Sequence, residues 1–333
     1  MGLLKNTRWN DNLIMPTDKH KKSMRLLVSK LSFPFLMAAI GASMIGLSPI
    51  FVRFTDIGPN ATACYRLFFS LPFLFAWKQA ENRANPDIRV KPSPREWAML
   101  AMAGFFFSLD LASWHMAIMR TSIINATIFN NLTPLFVPLL IWVFYAIKPS
   151  GLYMTSAIIA ITGSAILAGS TFHLGVHSFQ GDMFGIFSAM AYSGYFLLVK
   201  QLRQRFNAPI IVFWATLASL FFIFWITLAM GENLWLTTLN DWIGVLGLAL
   251  LVHVLGQSLL AYSMGQLTVA FVSVITLLGP VVAAIMGWIV YGERLSPIQI
   301  LGGVIVLSSI IAAGADERKS KRKMVEQINV KKS

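Results

Sequence analysis

Long apolar segments without charged side chains alternate with short polar segments along the chain. Five stretches contain no Asp, Glu, Lys or Arg: 31–52, 121–147, 149–181, 206–231 and 242–292. A helix of about 20 apolar residues crosses the hydrocarbon of a bilayer. Each stretch is therefore long enough for at least one transmembrane helix, and the pattern predicts an all-α membrane protein that crosses the bilayer many times.

The composition excludes a soluble globular protein. Of the 333 residues, 56% are apolar and 12% are charged, whereas soluble domains are about 45–50% apolar and about 25% charged. The net charge of +13 would by itself fit a nucleic-acid partner. However, the basic residues flank the apolar segments, where they lie beside anionic lipid. We therefore expect a lipid bilayer and no nucleic acid as partner.

Gly, Pro and charged residues divide the apolar sequence into ten predicted spans. With the N-terminus inside, this threading places 23 of the 27 basic residues on one side of the membrane. The positive-inside rule makes that side the cytoplasm, so we expect both termini there, in a cell membrane of the bacterial inner-membrane type. The predicted spans are 31–54, 59–77, 97–119, 122–145, 150–170, 181–200, 209–230, 241–262, 268–291 and 297–314.

The two halves of the chain are similar in sequence. A shift of 146 positions aligns residues 121–150 with residues 267–296 and places Pro134 on Pro280. Each half then holds five helices, and because five is odd, the second copy enters the membrane from the other side. Such an inverted repeat is typical of secondary transporters. The predicted organisation is a cytoplasmic tail at 1–30, repeats at 31–171 and 172–315, and a basic cytoplasmic tail at 316–333.

The fourth span, with its NLTP sequence, and the YGERLSPIQILGGVIVL segment after the ninth resemble the EamA-type branch of the drug/metabolite transporter superfamily. The resemblance covers residues 33–314. It implies a 5+5 inverted repeat of ten helices, a central cavity open to one side at a time, and movement of small metabolites, often amino acids. The first-half turn differs, because it reads YAIKPS in place of the GERLS type.

Ionisable side chains are costly in hydrocarbon, so those inside spans usually face a cavity or a partner. Arg66 and Asp110 each lie about 10 Å below the same membrane boundary, at 1.5 Å of rise per residue. We predict that they form an ion pair, with a purely structural pair and a gating or substrate-binding pair as the alternatives. His115 is predicted near the outer interface beside Trp114, as a structural histidine or as a substrate or proton ligand.

Further cavity candidates lie near the middle of other spans. His253 is close to the midplane, where such transporters bind substrate, and Gln257 follows one turn later on the same face. Tyr192 and Tyr195 lie deep in the sixth span, where their hydroxyl groups need partners. We predict that these four side chains line the cavity, with packing inside the bundle as the alternative.

The fourth and ninth spans share a polar stripe that leads to a proline. Asn130 precedes Pro134, and Thr276 precedes Pro280. Proline removes a backbone donor and disturbs the helix one turn upstream, so both spans are predicted to be hinged beside one site. We expect Asn130 and Thr276 to line that site and Asn131 to point elsewhere.

No catalytic motif or metal-ligand spacing occurs, and the single cysteine, Cys64, excludes an intrachain disulfide. We therefore predict no enzyme activity, cofactor or metal. The predicted function is a secondary transporter that moves a small amphipathic metabolite, an amino acid or a related compound, by alternating access and as an exporter. The alternatives are an uptake transporter for a nucleoside-like or sulfonium metabolite, an intramembrane enzyme and a receptor. A homodimer is left open beside a monomer.

Overall fold

The computed structural model describes residues 24–84, 91–121, 123–169, 179–292 and 294–330, and within them the side chains of 33–84, 91–121, 126–169, 179–292 and 294–319. Every regular element in these ranges is a helix. In chain order the helices are α1 (Met24–Ile45), α2 (Ser48–Val52), α3 (Pro59–Ala84), α4 (Pro94–Arg120), α5 (Ile123–Asn130), α6 (Thr133–Tyr145), α7 (Gly151–Ala168), α8 (Phe179–Leu202), α9 (Ala208–Met230), α10 (Leu239–Gly247), a π-helical segment (Leu248–Gln257), α11 (Ser258–Ser263), α12 (Val269–Ile275), α13 (Leu278–Tyr291) and α14 (Pro297–Val330).

In the described ranges, nine helical stretches are long and apolar enough to cross a membrane. The predicted second span forms the first part of α3 and does not reach the same apolarity, because Arg66 lies in its middle. Lys78 and Glu81 follow in the last part of α3. At 26 residues, α3 is about 39 Å long. The chain is therefore a multi-pass membrane protein, whose count of ten spans depends on α3.

Three predicted spans are interrupted by helix breaks. The fourth breaks between α5 and α6 and the ninth between α12 and α13, in both cases just before the proline that predicted a hinge. The first span also breaks, between α1 and α2, where Pro49 starts the second piece. Proline is tolerated in the first turn of a helix because no N–H is needed there, so it starts a new half-helix more readily than it continues an old one.

The first and last helices extend beyond the predicted spans. The segment 316–333 is predicted as a basic tail, and its residues as far as Val330 continue α14. No glycine or proline interrupts residues 315–330, and Glu, Arg, Lys and Met are good helix formers. At the other end of the chain, α1 begins at Met24, inside the predicted N-terminal tail, and residues 1–23 lie outside the described part.

The two halves of the chain, α1–α7 and α8–α14, pack against each other along most of their length. The most extensive contacts are those of α4 with α8, α7 with α14, α4 with α9, and α3 with α9. Each of these pairs joins the first half to the second. The halves are therefore two interlocked parts of one core and do not form separate bundles.

Hydrogen bonds join the halves at both ends of the bundle. At the end where α3 finishes and α4 begins, which we call the basic end, Glu96 forms an ion pair with Arg205 at 2.7 Å, and Asn207 donates to Glu81 at 2.7 Å. At the opposite end, Glu232 accepts hydrogen bonds from the Asn60 side chain at 2.6 Å and from the first turn of α3. Contacts between the halves are thus present at both ends of the structure.

Gly302 lets α7 and α14 approach until their backbones touch. A Cβ atom on Gly302 would lie 2.5 Å from the backbone nitrogen of Leu167 and 2.7 Å from the carbonyl oxygen of Gly163. A Cβ atom on the neighbouring Gly303 would meet only the end of the Leu167 side chain, at 3.8 Å. Two adjacent glycines on one helix therefore differ in the space around them.

We expect Gly302→Ala to lower the free energy of unfolding by about 1–3 kcal/mol, the usual cost of overpacking. Gly303→Ala should leave it unchanged or raise it by up to about 1 kcal/mol, because Ala is the better helix former. Thermal unfolding of the two variants in detergent measures the difference. Equal destabilisation of both variants would contradict the close approach of α7 and α14.

Candidate functional site

A cavity lies between the two halves, beside the three helix breaks. Its volume is about 810 Å³ including its open mouth. The first half contributes residues from the α1–α2 break, α3, α4 and the α5–α6 break. The second half contributes residues from α8, the π-helical segment and the α12–α13 break. A site that needs both halves at once can change shape when they move relative to each other.

Asp110 supplies the carboxyl group of the cavity wall. Its Oδ1 atom accepts hydrogen bonds from the Ser188 hydroxyl at 2.5 Å and from the Asn130 amide at 3.1 Å. The Asn130 amide also lies 2.6 Å from the Ser188 oxygen, so the three side chains form a closed triangle. Asp110 and Asn130 belong to the first half and Ser188 to the second, which makes this cluster a polar link across the cavity wall.

Arg66 supplies the guanidinium group of the same wall and is only 5% exposed. Its Cζ atom lies 6.0 Å from the centre of the Phe107 ring. The predicted ion pair with Asp110 is not formed directly: in the part of the chain with described side chains, no carboxylate comes within ion-pair distance of Arg66. The Asp110 carboxyl is held instead by Ser188 and Asn130, which direct one of its oxygens toward α8.

Aromatic rings and an amide complete the wall. Phe107 and Trp114 project from α4, and Tyr192 projects from α8. The Tyr192 hydroxyl donates to Oε1 of Gln257 at 3.3 Å. The cavity therefore offers a carboxyl group, a guanidinium group, amides and aromatic faces within one wall, as an amphipathic solute with polar and apolar parts would require.

A threonine hydroxyl fills a missing backbone bond at each of two helix breaks. Pro134 has no N–H for the carbonyl of Asn130, and the Thr133 hydroxyl donates to that oxygen at 2.8 Å. At the other break, the Thr276 hydroxyl donates to the carbonyl of Ser273 at 2.6 Å. Non-helical backbone at membrane depth is tolerated where it lines a cavity and finds such partners, and both breaks meet that condition.

Tyr153 joins the fourth and ninth spans on the basic-end side of the cavity. Pro138 has no N–H for the carbonyl of Pro134, and the Tyr153 hydroxyl donates to that oxygen at 2.8 Å. The same hydroxyl lies 3.3 Å from the Ser273 hydroxyl and 3.1 Å from the carbonyl oxygen of Ala270, both in the second half. One hydroxyl thus connects the two hinged spans directly below the cavity.

The structure brings most of the predicted site residues into one place. Those that line the cavity are Arg66, Asp110, Asn130, Tyr192, Gln257, Thr276 and Pro280. Those that do not line it are His115, Pro134, Tyr195 and His253. The geometry therefore separates the candidates into wall residues and residues behind the wall, and their roles in binding remain predictions.

The residues behind the wall support it from the outside. His253 lies behind Phe107, with ring centres 5.4 Å apart, and its Nε2 atom is 2.8 Å from the Thr216 hydroxyl. Tyr195 packs against Phe107 at 4.9 Å. His115 does lie beside Trp114, at 5.2 Å, but it is 2% exposed and so belongs to the interior, because α8 and α9 cover α4 there.

Sequence reasoning missed several residues in the wall and beside it. Asn131 was expected to point elsewhere, yet it lines the cavity beside Asn130, because the helix break at this point ends the regular 100° rotation per residue. Ser188 and Phe107 carry no sequence signal that separates them from the many other serines and phenylalanines of the spans. Pro49 was a usable signal, since it follows the first-span break as Pro134 follows the fourth.

Comparison with known proteins identifies the family. The pattern of the EamA-like transporter family matches residues 32–169 and again residues 179–314, and these two matches cover most of the chain. The chain belongs to the EamA-like transporter family.

Two relatives agree with this membership. An uncharacterised transporter of Archaeoglobus fulgidus is 24% identical over 285 residues, which cover 82% of this chain and 93% of the relative. A solved crystal structure superposes with a TM-score of 0.72 over 87% of this chain and 98% of the other, at 15% identity, which shows a shared fold. The resemblance to EamA-type transporters in the sequence is confirmed, and this EamA-like protein is a membrane transporter.

Ser188→Ala tests the polar triangle of this EamA-like transporter. Loss of the hydroxyl removes a donor from a buried carboxyl group, and we expect the free energy of unfolding to fall by about 1–3 kcal/mol. Ser70→Ala is the matched control, because the Ser70 hydroxyl is equally buried and donates only to Leu67 of its own helix. Denaturant unfolding in mixed micelles measures both. A loss no larger than that of the control would mean that the triangle contributes nothing.

Proposed function

We propose that the protein is a secondary transporter that exports a small amphipathic metabolite, an amino acid or a related compound, by alternating access. The observation that carries this proposal is the composition of one cavity wall. Asp110 and Arg66 offer opposite charges, and Phe107, Trp114 and Tyr192 offer apolar faces. A solute with an ammonium group, a carboxylate and an apolar side chain complements all three features.

The proposed topology has ten spans in two inverted repeats of five, with α3 as the second span. Its length supports this assignment, since about 39 Å exceeds the roughly 30 Å of hydrocarbon. The matching breaks of the fourth and ninth spans support the repeat, because they place equivalent half-helices on both sides of one site. The positive-inside rule then assigns the basic end and both termini to the cytoplasm of a bacterial cell.

Alternating access requires that the contacts between the halves open at one end while they hold at the other. The contacts at the two ends differ in kind. At the basic end, side-chain pairs such as Glu96–Arg205 and Ser150–Asp316 join the halves. At the opposite end, Glu232 and Asp241 bind backbone N–H groups of the other half.

Uptake of a nucleoside-like or sulfonium metabolite is a second candidate. It is favoured by the aromatic side chains around Asp110, since Phe, Tyr and Trp faces attract cations. The same assay distinguishes the two candidates by which labelled solute exchanges and by the direction of net flux under an imposed gradient.

Counterflow in proteoliposomes tests the proposal. Vesicles are loaded with unlabelled amino acids or nucleosides, and the entry of a trace of labelled solute is followed. We expect saturable entry for an apolar amino acid, and we expect Asp110→Asn to lower its rate about tenfold or more, as loss of one charge-assisted hydrogen bond does. Asp56→Asn is the control, because Asp56 is an exposed carboxylate outside the cavity.

Folded protein that exchanges no amino acid and no nucleoside would overturn the proposal, and solute binding without flux would favour a receptor. Turnover of a labelled lipid would favour an enzyme. Equal loss of transport in the Asp110 and Asp56 variants would remove the assigned role of Asp110.

Tyr153→Phe tests the closure at the basic end. The variant removes the contacts of the hydroxyl with Ser273 and the Ala270 carbonyl of the second half, which we expect only in the closed form. Their loss, about 1–3 kcal/mol, favours opening by about five- to hundredfold. The readout is the rate at which an impermeant maleimide, applied at the basic end, labels Ala283→Cys on the cavity wall in a Cys64→Ala background. Tyr262→Phe is the control, because in the described chain no hydrogen bond of the Tyr262 hydroxyl is found. An unchanged labelling rate in Tyr153→Phe would contradict the closing role.

A further inference from the structure

Arg66 differs from the other basic side chains inside the bundle in having no oxygen partner. Lys200 donates to the carbonyls of Met264 and Leu267 at 2.8 and 3.0 Å. Arg203 donates to the carbonyls of Phe206 and Ala261 at 2.8 and 3.0 Å. In the part of the chain with described side chains, Arg66 has neither a hydrogen bond nor an ion pair, and its Nε atom is fully buried without a partner.

The surroundings of Arg66 offer its guanidinium no direct hydrogen-bond partner among the described side chains. The Phe107 ring centre lies 6.0 Å away, at the outer limit of a cation–π contact. The Asp110 carboxyl lines the same cavity, but Ser188 and Asn130 occupy its Oδ1 atom. A buried charge is costly unless it is paired and hydrogen-bonded. An anion that enters the cavity and pairs with the Arg66 guanidinium therefore removes part of this cost, which favours its binding there.

We propose that Arg66 is the anion-binding residue of the cavity and that the transported solute carries a carboxylate, which the guanidinium binds with two parallel hydrogen bonds. Planar two-point recognition of a carboxylate is what arginine offers beyond a simple positive charge. The proposal rests on the proposed transport function and narrows it, because it requires the anionic group and makes Arg66 the residue that selects it.

The carboxyl group of Asp110 and the guanidinium group of Arg66 also differ in what holds them. Asp110 is held in the triangle with Asn130 and Ser188, so it is part of the fixed wall of the cavity. Arg66 makes no hydrogen bond within the described part of the chain, so its guanidinium can bind a solute in this arrangement of the halves. The solute carboxylate takes the place that an acidic side chain of the protein would otherwise fill.

Pairs of solutes that differ only in the carboxylate test this assignment. The probes are L-phenylalanine and L-methionine with their amides, which keep the ammonium group and the side chain. Purified full-length protein in detergent is titrated with each probe, and the rise in its melting temperature is measured. We expect wild type to need about tenfold more of an amide than of the acid for the same rise, as the loss of a charge-assisted hydrogen bond gives.

Arg66→Gln should abolish this preference for the acid, and Arg66→Lys should keep part of it, because the charge remains while the planar fork is lost. Arg120→Gln is the matched control. It removes an exposed guanidinium outside the cavity, next to the Phe184 ring, and should retain the full preference. Arg66→Gln protein that is folded and still prefers the acids would overturn the proposal.

A second measurement covers variants that fail to fold. Phenylglyoxal modifies accessible guanidinium groups, and mass spectrometry of the wild-type protein locates the modified arginines. We expect the acids to protect Arg66 and the amides to leave it reactive, while Arg120 reacts equally in all samples. Absence of selective protection would overturn the proposal.

The counterflow assay separates this inference from the function on which it rests. Flux of both acid and amide at equal rates would leave transport standing and refute the role of Arg66. No flux and no binding of any probe would refute the proposed transport of amino acids and, with it, the assignment of Arg66.

Discussion

Backbone polar groups at membrane depth must find partners inside the protein, and this requirement shapes the centre of the structure. Three spans are broken around one cavity, and each break frees carbonyl and N–H groups that a continuous helix would have paired. Thr133, Thr276 and Tyr153 supply hydroxyl donors for the carbonyls freed there. The backbone groups freed at the breaks find hydrogen-bond partners inside the protein beside the cavity. Lipid chains could not provide such partners.

A hydroxyl that pairs with a carbonyl freed at a break also connects the two halves. The hydroxyl of Tyr153 reaches the fourth span in one half and Ser273 of the ninth span in the other. Gly46, at the break of the first span, packs against Gly279 so closely that a Cβ atom on it would lie 2.6 Å from the Gly279 carbonyl oxygen. The hinge points of different spans therefore touch each other at the level of the cavity.

The two charged groups of the cavity wall, unlike the backbone groups at the breaks, do not both have hydrogen-bond partners in the described part of the chain. Asp110 is fixed by bonds to both halves, whereas Arg66 makes no hydrogen bond to any described side chain. A protein that only needed to neutralise two buried charges would have brought them together. Their separate placement puts a positive and a negative group along one aromatic wall of the cavity.

The sequence by itself determined the class of protein, the position of most spans and two of the three helix breaks. These features are local: hydrophobic length, charge position and proline each act within a few residues along the chain. It also selected seven residues that line the cavity, because ionisable and amide side chains are rare in spans and conspicuous there. Length and composition could not decide the second span, since α3 carries charges that lower its apolarity.

Only the tertiary structure decided which of the candidates share the wall and what holds each of them. His253 and Tyr195 are polar residues deep in a predicted span, as Gln257 and Tyr192 are. In the structure, however, they lie behind Phe107. The Ser188–Asp110 bond joins residues 78 positions apart, and the absence of an ion pair at Arg66, among the residues described, depends on how α3, α4 and α8 approach. Such contacts are set by the packing of whole helices, and no local pattern in the chain encodes them.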